Sequence, residues 1–183
     1  MINDKLALKK CLSHEKKFYQ PTFLGQIAAF FGFSEKNIIW KYQKHLRKWE
    51  FYLNKKCRVL TAYHKMKCTK MGFKYGFSIS PNSIDEGLRI MHLGHILINS
   101  NARIGKNAVL HSGVCVVATG GISEAAKIGN NCKLGVNCIL IGDIEIGDNS
   151  VIGAGAVVTK SFIEGHVTLA GVPARVISNK AVL

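Results

Sequence analysis

From residue 98 to residue 158 an aliphatic side chain returns at every sixth position: Ile98, Ile104, Leu110, Val116, Ile122, Ile128, Leu134, Leu140, Ile146, Ile152 and Val158. Ile, Leu and Val make up about a quarter of the chain, so eleven matches in eleven places are not chance. A period of six fits neither a helix nor a flat strand and predicts stacked β-coils. The hexads read aliphatic, often Gly, two polar residues, a small residue and one more, as in Ile104-Gly105-Lys106-Asn107-Ala108-Val109 and Ile128-Gly129-Asn130-Asn131-Cys132-Lys133. If each is a short strand plus a corner, three make a triangular coil with the aliphatic residue inside. The small residue four positions on (Ala102, Ala108, Cys132, Cys138, Ser150, Ala156) then fits where the interior is tight. Gly and Asn accept the positive φ that corners demand, and stacking pairs each backbone group with the coil above or below.

Ahead of the comb the period is helical. A polar, basic stretch predicts a helix over about 4–17, Pro21 opens a short one over 22–31 closed by Gly32, and Ser34 caps a longer one over 35–55. In that last segment Ile38, Ile39, Tyr42, Leu46, Trp49 and Leu53 fall at three- and four-residue steps. A further helix is expected over 58–71, with Gly72 and Gly76 ending it. The chain therefore divides into a helical region, 1–75, and a β-solenoid, 76–183. Residues 78–82 read as the opening turn of the solenoid, and the irregular spacing over 83–97 as a distorted or capping first coil. Residues 162–183 close the array through the turn Gly171-Val172-Pro173-Ala174-Arg175.

Charge adds a partner class. The chain carries 25 Lys and Arg against 11 Asp and Glu, a formal net charge of +14, most of it before Gly76. A polyanion is implied: an acidic polysaccharide, an anionic membrane surface or a phosphorylated cofactor. Nucleic acid is not expected, because the zinc patterns, reading helices and aromatic platforms of that class are missing. The bland reading of the basic helices is a solvated face over a modest core. The six cysteines lack CxxC spacing and read as reduced, cytoplasmic and, at Cys132 and Cys138, as core packing. Neither a leader nor a membrane span is indicated, which leaves peripheral contact with the inner face of a membrane open.

The hexads, ending in Ile152-Gly153-Ala154-Gly155-Ala156-Val157-Val158 and followed by Ala170-Gly171-Val172-Pro173-Ala174-Arg175-Val176-Ile177, resemble the hexapeptide-repeat acyltransferases, specifically the serine acetyltransferase-like branch. The resemblance covers about residues 76–180. It implies a left-handed parallel β-helix, a homotrimer that could pair through its helices into a dimer of trimers, acetyl-CoA as donor in the groove between subunits, and no metal. In that branch the catalytic histidine follows a G-(I/L)-x-(I/L)-x-H pattern. Here Gly87-Leu88-Arg89-Ile90-Met91-His92 puts His92 in that place. Neutral imidazole is suited to take the proton of an attacking hydroxyl near pH 7. On the acceptor side His95, Met91, Ser78, Asn99 and His111 are candidates. The resemblance assigns the donor to Thr119-Gly120-Gly121, Ala154 and Gly155, with Lys160 and Arg175 for the phosphates.

The departures bear on the acceptor. Serine acetyltransferases have an aspartate just before the histidine that holds the substrate ammonium, where this chain has Met91. Their orienting aspartate aligns, with a one-residue gap, on Ser78, and their Arg-His pair falls on Glu124-Ala125. The turn after His92 looks more like that of capsule or exopolysaccharide O-acetyltransferases, which implies a glycan hydroxyl as acceptor. Free serine is the alternative within the same chemistry, and a non-catalytic scaffold binding an anionic surface is the alternative outside it.

Overall fold

The computed structural model describes residues 2–19, 34–120 and 124–180, and the chain divides into two compact units, Met1–Gly76 and Phe77–Leu183. The expected helix over 22–31 lies outside the described residues. In the first unit α1 (Lys5–Lys16) starts at Asp4, whose carboxylate accepts from the Ala7 amide at 2.7 Å. A 3₁₀ turn, Lys17–Tyr19, follows it. The next helix, α2 (Glu35–Asn54), is capped by Ser34. Then α3 (Arg58–Tyr75) runs through the buried Gly72 and stops at Gly76, whose φ of +84° gives the left-handed cap. Gly72 therefore does not end the helix.

The core of this unit is more polar than the sequence suggests. Ile39, Tyr42 and Leu46 are buried along α2, but so is Arg47, from within the basic run 44–48. Its guanidinium meets Glu15 of α1 at 2.7 Å and Glu50 at 2.9 Å, while Gln43 donates to Glu15 at 2.6 Å and Tyr19 to Gln43 at 2.9 Å. A charge so placed is tolerated because its donors find acceptors; removing one partner of such a set typically costs about 3–5 kcal/mol.

The second unit is a parallel β-helix of three sheets. The first sheet stacks β1 (Phe77–Ile79), β3 (Ile96–Ile98), β6 (Cys115–Val117), β9 (Ile139–Ile141) and β12 (Val157–Val158). The second holds β4 (Arg103–Ile104), β7 (Lys127–Ile128) and β10 (Glu145–Ile146). The third holds β2 (Arg89–Ile90), β5 (Val109–Leu110), β8 (Lys133–Leu134), β11 (Val151–Ile152) and β13 (Thr168–Ala170), closed by the antiparallel β14 (Arg175–Ser178). The predicted opening turn thus begins as a strand, β1, and bends only at Asn82, φ +60°.

Register puts the comb inside. Ile79, Ile98, Val116, Leu140 and Val158 stack in the first sheet. Ile84, Ile104, Ile128, Ile146 and Phe162 stack in the second. Ile90, Leu110, Leu134, Ile152 and Leu169 stack in the third. The six small residues named above are fully buried, and burial pushes the Cys132 thiol up to about 11 and Cys138 to about 12. One expectation fails. Val116 lies in the first sheet and Ile128 in the second, twice the spacing from Ile98 to Ile104, so one step of six does not carry the chain from one described sheet to the next here. Ile122 itself lies outside the described residues.

The corners between the second and third sheets carry a side-chain ladder. Asn107 donates to Asn131 at 2.9 Å, Asn131 to Asn149 at 3.0 Å, and Asn149 reaches His166 at 3.2 Å. All four have φ between +53° and +57°. The preceding glycines are required by close approach: a Cβ on Gly129 would stand 2.6 Å from the Asp148 amide nitrogen.

Candidate active site

Val116 follows Leu110 by six positions at the corner between the third and first sheets, but Ile98 follows Ile90 by eight in the coil below. The extra two swell the corner 91–95, and His92 and His95 stand exposed on it. Both ends of the swelling are tied to the next coil. The Met91 amide donates to the Leu110 carbonyl at 2.9 Å, and the Gly113 amide to the His95 carbonyl at 2.5 Å. Between them Gly94 turns at φ +137°, where a Cβ would come within 3.0 Å of the Ser112 Cβ.

One coil on, His111 occupies the position held by Gly135 and Gly153 in the coils beyond. The three amides donate to Leu134, Ile152 and Leu169 in the same way. Burial lowers the pKa of the His111 imidazole, and the nearby His92, Arg89 and Lys133 lower it further. The edge therefore presents imidazoles able to take a proton, beside cations that favour a developing oxyanion.

Ala154 and Gly155 lie on this same edge, in the corner after β11. Met91 adjoins His92, and Ser78 sits exposed in β1, paired with Leu97. The remaining candidates are elsewhere. Asn99 follows β3 and Thr119 follows β6, both at the edge between the first and second sheets, with Thr119 Cγ2 within 3.4 Å of where a Cβ on Gly142 would be. Gly120 is exposed beside Thr119, and Gly121 lies outside the described residues. Lys160 and Arg175 share a cleft of about 460 Å³ with Thr159, Phe162 and Pro173. A smaller hollow of about 260 Å³ over Asp85, Arg103 and Asn130 contains none of the candidates. Among the described residues no group of three or more His, Cys, Asp or Glu is placed to hold a metal.

The sequence reading does not single out Ser112, Arg89 or Lys133. Arg89 and Lys133 act on His111 from about twenty residues away in the chain, and Ser112, though next to His111, meets Gly94 of the coil below; only the coil length would have paired them.

Residues 125–160 match the family described as bacterial transferase hexapeptide (six repeats). The resemblance to hexapeptide-repeat acyltransferases, and to their serine acetyltransferase-like branch, is borne out. Serine acetyltransferase of Synechococcus elongatus is 32% identical over 110 residues, 58% of this chain and 45% of that protein. Bifunctional protein GlmU of Anaplasma marginale is 34% identical over 85 residues, 46% of this chain and 19% of that protein. The chain thus spans under half the length of these curated relatives. Among solved structures, the serine acetyltransferase from Brucella abortus superposes with a TM-score of 0.75 at 20% identity, over 98% of this chain and 72% of that one. The Neisseria gonorrhoeae enzyme in complex with serine gives 0.69 at 26%, over 93% and 69%. A further Brucella abortus structure, solved with coenzyme A, gives 0.70 at 23%, over 96% and 70%.

Proposed function

We propose that the protein transfers an acetyl group from acetyl-CoA to a hydroxyl, with His92 as general base and no acyl-enzyme. The observation that carries this is the swollen corner that exposes His92 beside His111 on an edge shared with Ala154 and Gly155. His92 takes the hydroxyl proton as the oxygen attacks the thioester carbonyl; as the C–S bond breaks, the imidazolium returns that proton to the departing sulfur. Lys160 and Arg175, two cations in one cleft, suit the phosphates of the donor. The Brucella structure with coenzyme A supports that donor.

The candidates occupy two edges of the prism, and a trimer of left-handed β-helices accounts for this. The His92 edge of one subunit would face the Asn99 and Thr119 edge of its neighbour, closing a groove that one chain leaves open. For the acceptor we favour a sugar hydroxyl. Met91 and Ser78 offer no carboxylate to an ammonium, and Asp85 and Glu86 of the same coil lie at the far corner, Glu86 paired with Lys106 at 3.0 Å. Free serine is the second reading, favoured by the Neisseria neighbour in complex with serine.

Thiol release from acetyl-CoA, followed with oligosaccharide and with serine, separates the two acceptors. His92→Ala is expected to lower turnover by about 10²–10⁴-fold while leaving CoA binding intact. Undiminished turnover would show that the base lies elsewhere, and no release with either acceptor would favour the scaffold.

A further inference from the structure

Residues 1–76 hold 17 Lys and Arg against four Asp and Glu, whereas residues 77–183 hold eight against seven. Two of the four acids, Glu15 and Glu50, are buried on Arg47, so the surface of the helical unit has almost no counter-charge. Within it α3 carries Arg58, Lys65, Lys67, Lys70 and Lys74 and no acid. Among the described residues of the unit it also exposes the most large apolar surface: Val59 is 79% exposed, Met66 58% and Phe73 90%, with Leu6 of α1 and Leu53 of α2 standing apart from them.

These three are seven residues apart, close to two helical turns, so they form one ridge along the outer face, opposite the buried His64, Cys68 and Gly72. At 100° per residue, Arg58 and Lys65 fall on one flank of the ridge and Lys67 and Lys74 on the other. An apolar ridge between two rows of long cationic side chains is the arrangement of a helix lying in a lipid–water interface, with ridge in the acyl boundary and ammonium groups at the phosphates.

We propose that α3 docks the protein on an anionic membrane surface. A second copy of the chain is the poorer occupant, since pairing α3 with itself sets five cations against five. A soluble polyanion would use the cations and leave Phe73 idle. No helix among the described residues is long and apolar enough to cross a membrane, and the docking needs none. The proposal does not rest on the acetyltransferase reading.

Flotation of the full chain with vesicles tests it. At about 0.1 M salt the protein should float with phosphatidylcholine vesicles containing about 30% phosphatidylglycerol, and stay behind with phosphatidylcholine alone. Phe73→Ser should weaken partitioning by about tenfold or more, and Lys65→Ala and Lys70→Ala by about fivefold each. Phe73→Trp, which keeps the ridge, should shift its emission to shorter wavelength only with anionic vesicles. Three results would overturn the proposal: a Phe73→Ser protein that floats as well as the parent, a tryptophan that does not shift, or ridge-dependent self-association without lipid.

Discussion

With the Nδ1 atoms of His45 and His64 only 2.9 Å apart, the two imidazoles can hold one proton between them but not two. His64 stacks on Tyr52 with ring planes 5° apart, and Tyr63 packs edge-on to both histidines. Burial, then His64 and the nearby Lys44, Lys48 and Lys67, push His45 down to about 4, and burial and Lys48 lower His64. The unfolded chain takes up protons near 6.5 while the folded one resists, so this contribution is present above pH 6.5 and lost as pH falls toward 4. Denaturant unfolding between pH 7 and pH 4.5 should show a loss on the order of 1 kcal/mol, after discounting for solvent screening, that His45→Gln largely removes. If the variant keeps the full pH slope, the slope comes from other groups. None of this is legible from the chain, where His45 and His64 belong to no motif. Arg47 is hidden for a similar reason: one arginine in a basic run looks like its exposed neighbours until tertiary packing selects it. His92 is legible because its spacing from Gly87 repeats a family pattern, and the swollen corner gives that pattern its physical content.

The corner ladder belongs to the scale of elements. Asn131 accepts from Asn107 and donates to Asn149, and it does so at φ +55°. Asn131→Ala should lose both rungs and strain the backbone, at a cost of about 2–3 kcal/mol. Asn131→Gly loses the rungs but accepts the angle, so it should cost about 1 kcal/mol less, and thermal or urea unfolding of the pair isolates the backbone contribution. Equal losses would mean that the angle costs nothing here. The need for Gly or Asn at corners, and for small residues inside them, was readable from the hexads because both follow from the local geometry of one turn. Which asparagines bond was not, because rungs join residues of different coils, and the coil length is a property of the stack.

At the scale of the molecule, that coil length is where the sequence misleads. The step from Val116 to Ile128 spans two hexads where that from Ile98 to Ile104 spans one, and an insertion of six residues leaves a period of six intact, so the comb runs across it without a slip. Deleting residues 118–123 would join Val117 to Glu124 and restore the spacing seen from Ile98 to Ile104, with the buried Ala126 in the small position that Ala102 fills one coil earlier. Shortening a connection changes closure entropy by under about 1 kcal/mol, so the thermal midpoint should stay near that of the parent. The donor candidates Thr119, Gly120 and Gly121 leave with the deleted residues. Acetyl transfer should therefore collapse in a chain that still folds, whereas the surface of α3, in the other unit, is untouched and flotation with anionic vesicles should persist. A folded deletion that still turns over would remove Thr119, Gly120 and Gly121 from the donor site. A deletion that fails to fold would mean that the extra hexad is part of the wall, and that the comb was a truer guide to the coil than the strand register.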